Sequence, residues 1–182
     1  MTEDPDYVAL IEEFKKTGQI PLIWQWTARE FVCAANIIRR RHEAATLPAD
    51  QLWKLLGPML LLYGLALENL LKGLLVAQGV DATSTGTLNH QLKTHNVLKL
   101  WNWAKLPITH ATEDLLKRLH WSIEAGKYPV GLHPNPDDPG LIWVALTNID
   151  EVGGLLDTVE DELRRLQPKR MFEKVNLLEI CA

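Results

Sequence analysis

The sequence predicts an all-α protein, an up-and-down bundle of about four main helices with short additional helices and a proline-rich loop. Three observations point there. Apolar residues recur at three- and four-residue intervals over long segments, glycine and proline punctuate those segments, and the connections between them are short enough to favour antiparallel neighbours. No repeat of roughly 20 to 50 residues suggests a solenoid. The 182 residues suit one helical domain, 1–182, able to bury its own core.

A first helix is expected from about Tyr7 to Lys16, where Val8, Ile11 and Phe14 share a face before Gly18 and Pro21 stop it. A second runs from about Ile23 to Ala45 on Trp24, Ala28, Phe31, Ala35 and Ile38, with Pro48 closing it. Its last turns hold Arg39, Arg40, Arg41 and His42, cations that suit the negative end of a helix dipole. Asp50 can cap a third helix reaching about Gln78, with Gly79 as its stop signal. Pro58 kinks this helix or restarts it, leaving a central helix of about 58–78. There Leu60, Tyr63, Leu67, Leu70, Leu71 and Leu74 form a broad apolar face, while Gly64, Ala66 and Gly73 admit close neighbours.

The stretch Gly79 to Thr87 is polar and turn-rich, so it reads as a surface loop. A fourth helix is expected from about Gln91 to Ala104. A fifth, capped by Thr109 or Thr112, extends to Gly126 with Glu113 and Asp114 at its positive end. Residues 126–140, GKYPVGLHPNPDDPG, carry prolines at 129, 134, 136 and 139 that stiffen the backbone. Tyr128, Val130 and Leu132 can pin this segment, so a docked loop is expected. LIWVAL, which follows, reads equally as extended or helical. A last helix is expected from about Thr147 or Asp150 to Gln167, and the tail 168–182 is apolar enough to dock.

A composition of 47% hydrophobic and 23% charged residues fits a globular protein and argues against wholesale disorder. The net charge of -4 offers phosphates no global attraction, so DNA coating is not expected and any nucleic-acid contact needs a local basic patch. The apolar run Leu55 to Leu67 falls short of the roughly 18 residues a membrane span needs, and Glu68 ends it. It is expected to belong to a buried helix, with no membrane partner. The acidic start MTEDPDYVAL does not resemble a secretory signal. Cys33 and Cys181 lie far apart and suggest neither a disulfide framework nor a zinc site, so a cytoplasmic location is expected. The seven tryptophans read mainly as core residues whose N–H groups need partners.

LLYGLALENLLKGLLVAQG, followed by LNHQLKTHNVLKLW, resembles the central region of HEPN-like helical proteins over roughly residues 61–101. Those proteins share an apolar helix with an alanine, a glutamate and a lysine, then a glycine, then His-Xaa-Leu at the start of the next helix. The matching positions are Ala66, Glu68, Lys72, Gly79, and His90 with Leu92. The resemblance implies a homodimer, an RNA or antitoxin-like protein partner, and a place in toxin–antitoxin or phage-defence systems. Active members carry an arginine separated from a histidine by four to six residues, and none of the arginines here has a histidine at that distance. Lysine versions occur at Lys127-YPVGL-His133 and Lys105-LPIT-His110. Roughly one such match is expected by chance, and lysine lacks the planar fork that grips phosphate bidentately.

Glu68 and Lys72 stand four apart and can pair along the central helix, facing the bundle interior or a groove. His90 and His95 are five apart, off the spacing that places two imidazoles on one helix face for a metal. His90 is expected to cap or brace the helix that begins there. His110, Glu113 and His120 form a better stripe, yet capping and solvation account for it, so no metal and no cofactor are expected. A second basic run, Arg164, Arg165, Lys169 and Arg170, could also meet phosphates, although most such runs are solvated faces.

The function expected first is a binding or regulatory module that interacts with RNA and lacks the ribonuclease pair. Its recognition residues are Arg39, Arg40, Arg41 and His42, with Glu68, Lys72, His90 and Tyr128. The alternatives are a divergent metal-independent ribonuclease, in which Lys127 binds phosphate and His133 serves as acid or base, and a helical protein-interaction adaptor.

Overall fold

One helix is too apolar to lie at the surface, and the rest of the chain is arranged to cover it. The structure is a computed structural model that describes residues 5–44, 49–127, 149–167 and 177. These form α1 (Pro5–Gly18), α2 (Pro21–Glu43), α3 (Ala49–Ala77), α4 (Val97–Trp103), α5 (His110–Lys127) and α6 (Ile149–Leu166), with a 3-10 turn at His90–Lys93. The protein is all-α, with no strand among the described residues.

Helix α3 is the hub and packs against α2, α4, α5 and α6. Its face of Leu60, Tyr63, Leu67, Leu70, Leu71 and Leu74 is buried throughout. The stretch Leu55–Ala77 is long and apolar enough to cross a membrane by length and composition, and 78% of its apolar window is buried within the bundle. Close approach explains two of its small residues. A Cβ on Gly73 would stand 2.9 Å from Trp24 Cβ on α2, and one on Gly64 would stand 2.9 Å from Ile123 Cγ1 on α5.

The helix runs through Pro58, which is exposed, so water can satisfy the carbonyl that the proline leaves without an N–H. It stops where expected. Gly79 takes the left-handed conformation, its N–H bonds to Val76 O, and Val80 N–H bonds to Leu75 O, the paired closure of a glycine-terminated helix.

The expected fourth helix does not form as one piece. Thr94 is extended after the 3-10 turn, its Oγ1 accepts from Asn96 N–H, and the Asn96 side chain accepts from Lys99 N–H to start α4 afresh. Local side-chain bonds of this kind compete with a continuous helix. At α5 the cap is Thr109, whose Oγ1 accepts from Thr112 N–H. That helix includes Lys127 at its last position, one residue beyond the expected stop at Gly126. The polar loop after α3 is tied to the end of α1: Thr83 Oγ1 donates to Lys15 O at 2.8 Å, and Asp81 accepts from the Gln19 side-chain amide.

Cys33 is disulfide-bonded, contrary to the sequence expectation. Separation along the chain says nothing about separation in space once distant segments pack on one helix. Leu177 shows that such packing occurs, since it is buried and its carbonyl accepts from Asn36 Nδ2 on α2 at 2.9 Å. Tyr128, His133, the rest of the proline-rich loop and the remainder of the tail lie outside the described residues.

Candidate functional site

A carboxylate inside an apolar helix is costly unless it is paired and hydrogen-bonded. Glu68 is only 3% exposed and Lys72, one turn later on α3, only 5%. The two meet as the four-residue spacing predicts, with Lys72 Nζ donating to Glu68 Oε1 at 2.6 Å. A third group joins them. His95 Nδ1 lies 3.0 Å from both Glu68 oxygens. An ionised carboxylate only accepts, so Nδ1 carries the proton of this bond and Nε2 is the ring nitrogen left for other chemistry. The imidazole is 45% exposed, so the cluster runs from the core to the surface. His120 on α5 reaches the same place, its Nδ1 3.3 Å from His95 O.

The histidine on Glu68 is therefore His95. His90, the residue matched in the sequence motif, is exposed in the 3-10 turn. His95 was hidden because one helix from Gln91 was expected there; the break at Thr94–Asn96 turns its ring onto α3. The Thr94 and Asn96 flanks were the legible signal.

A second buried carboxylate had no counterpart among the expected site residues. Glu160, on α6 and 2% exposed, accepts from Gln25 Nε2 at 2.8 Å, from Arg29 Nε at 3.0 Å and from Arg164 at 2.9 Å. Its position on the face made by Val152, Leu156, Val159 and Leu163 was the available clue. A third polar set is uncharged at its centre: Tyr63 OH donates to Asn36 Oδ1 at 2.7 Å, and Asn36 in turn holds Leu177. Burial pushes the Tyr63 hydroxyl up to about 12, against a smaller opposing pull from Arg39.

The basic turn that ends α2 is divided. Arg39 is drawn to Glu43, 3.7 Å away, His42 is partly buried, and Arg40 and Arg41 stand exposed. The other candidates separate. His110 pairs with Asp114 at 3.5 Å and Glu113 with Lys117 at 2.7 Å, while His120 turns to His95, so this stripe serves three different partners. Lys105 sits in a left-handed turn after α4. Arg164 and Arg165 are engaged by Glu160 and Glu162. Lys127 ends α5, and its expected partners Tyr128 and His133 fall outside the described residues. Three tryptophan N–H groups have acceptors, Trp24 donating to Gly18 O, Trp26 to Glu30 and Trp101 to Pro107 O, but Trp26 and Trp103 are exposed rather than in the expected core.

Fold and site together define an all-α protein with a lysine–glutamate–histidine cluster at the edge of its central helix. Among known proteins no family model, no curated protein and no solved structure matches the chain.

Proposed function

We propose that the protein is a HEPN-like binding or regulatory module that acts as a homodimer and contacts RNA, in a toxin–antitoxin or defence setting, without the Arg/His ribonuclease pair. The observation that carries this reading is the exposed Arg40–Arg41 turn at the negative end of α2, a local cation patch on a chain of net charge -4. A second support is that the glutamate and lysine of the motif resemblance share one buried cluster with a histidine from the segment preceding α4. Ile23, Trp26 and Ile37 give α2 exposed apolar groups of the kind a second copy would cover.

The test is binding of the purified chain to a mixed RNA pool across a salt series, beside an Arg40→Gln, Arg41→Gln variant. Affinity should fall steeply with salt, and the double variant should bind more weakly with a shallower salt slope, without any cleavage. Cleavage abolished by Lys127→Ala or His133→Ala would replace this reading with the divergent ribonuclease. Absence of any RNA effect would leave the protein-interaction adaptor. Sedimentation of the chain and of a Trp26→Glu, Ile37→Glu variant tests the dimer, which the variant should dissociate.

A further inference from the structure

His95 and His120 come from different elements, yet their rings are held in the same way. His95 Nδ1 lies 3.0 Å from both oxygens of Glu68, and His120 Nδ1 lies 3.3 Å from the backbone oxygen of His95. Carboxylate and carbonyl oxygens only accept, so each Nδ1 carries the donated proton and each neutral imidazole keeps its lone pair on Nε2. Metal-binding imidazoles are held like this: the second N–H goes to a carboxylate or a backbone carbonyl, which fixes both the tautomer and the direction of the ring. Lys72 Nζ, 2.6 Å from Glu68 Oε1, supplies the opposite charge that a buried carboxylate needs, and the carboxylate anchors His95. The His95 side chain is 45% exposed and His120 is partly exposed, so the pair is open to ions from solvent.

We propose that His95 and His120 bind one divalent transition-metal ion of the zinc class through their Nε2 atoms, with Glu68 as the positioning residue behind His95. Imidazole nitrogen suits zinc, copper and nickel, whereas magnesium and calcium take oxygen ligands. Zinc–nitrogen bonds of about 2.0–2.1 Å in a tetrahedral shell put the two Nε2 atoms about 3.3 Å apart, so the rings turn about their side-chain bonds to share the ion while the helices stay in place. Among the described residues no group of three or more His, Cys, Asp and Glu side chains is placed to hold a metal. The protein therefore supplies two ligands and water completes the shell. An ion held this way is exchangeable and keeps open positions for a further ligand. The pairing joins residues 25 positions apart and differs from the stripe of His110, Glu113 and His120, whose members face three different partners. This inference goes beyond the proposed function and does not depend on it.

The test titrates the full chain, without an affinity tag, with Zn2+ in chelator-treated buffer and follows the imidazole nitrogens by NMR. One ion should bind per chain, with the Nε2 signals of His95 and His120 shifting together, while Mg2+ leaves both in place. His95→Ala and His120→Ala should each weaken Zn2+ binding by about tenfold or more, and His110→Ala should leave it unchanged, all three keeping the helical circular dichroism of the parent chain. Glu68→Gln should weaken binding about tenfold and free the His95 ring from its single tautomer, a change in the nitrogen spectrum that a purely structural carboxylate would not produce. His95 and His120 signals unmoved by Zn2+ would overturn the proposal. So would equal affinity in the parent, His95→Ala and His120→Ala, which puts the ion elsewhere on the chain.

Discussion

Two carboxylates buried among the described residues, Glu160 and Glu68, solve the same electrostatic problem in different ways. Glu160 takes two of its three partners from another helix: Gln25 and Arg29 of α2 join Arg164 of its own helix, and the four groups tie α2 to α6. Glu68 is paired first within its own helix, by Lys72, and its remaining partner is a half-exposed imidazole from the α4 approach. The first cluster is enclosed by packed guanidinium groups and behaves as a staple. The second opens to solvent through a ring with a nitrogen left over, so of the two it is the one that can meet a ligand. Burial of a carboxylate alone does not mark a site; the exposure of its partners does.

The largest expected effect falls on the staple. Glu160→Ala leaves Arg29 and Arg164 without the carboxylate they share, and should destabilise the protein by about 3–5 kcal/mol in denaturant titrations. Glu68→Ala should cost less, about 2–3 kcal/mol, because the flexible Lys72 stem can carry its ammonium toward water. If the two variants lose equal stability, the contrast between a closed and an open cluster fails. His95→Ala should cost about 1 kcal/mol or less in the same titrations, whereas a loss comparable to that of Glu68→Ala would make the imidazole part of a second staple.

The uncharged Tyr63–Asn36 pair is tested by pH rather than by charge removal. The folded-state pKa of Tyr63 is raised by burial to about 12, from an ordinary value near 10. The neutral phenol is therefore the favoured form in the folded chain. Its contribution is fully present below about pH 10 and is lost as pH climbs through about 12. Tyrosinate absorbance followed beside helical circular dichroism should show one class ionising late, with unfolding, and Tyr63→Phe should remove that class.

The helical class, the apolar face of α3, its glycine stop and the Glu68–Lys72 pair were all legible in the sequence. Each depends on residues within one or two turns of one another, where helical periodicity fixes which side chains are neighbours. Even the Trp24 and Trp101 N–H bonds are local, to Gly18 and Pro107. His95 rather than His90 on Glu68, the convergence of Gln25 and Arg29 on Glu160, and the docking of Leu177 on Asn36 were decided by helix packing. They join residues tens of positions apart or more, and no periodicity reports which faces of two helices will meet. Thr94 and Asn96 lie between these extremes. Their side-chain bonds are local, but they cut the expected helix in two and thereby send His95 to the buried carboxylate of Glu68.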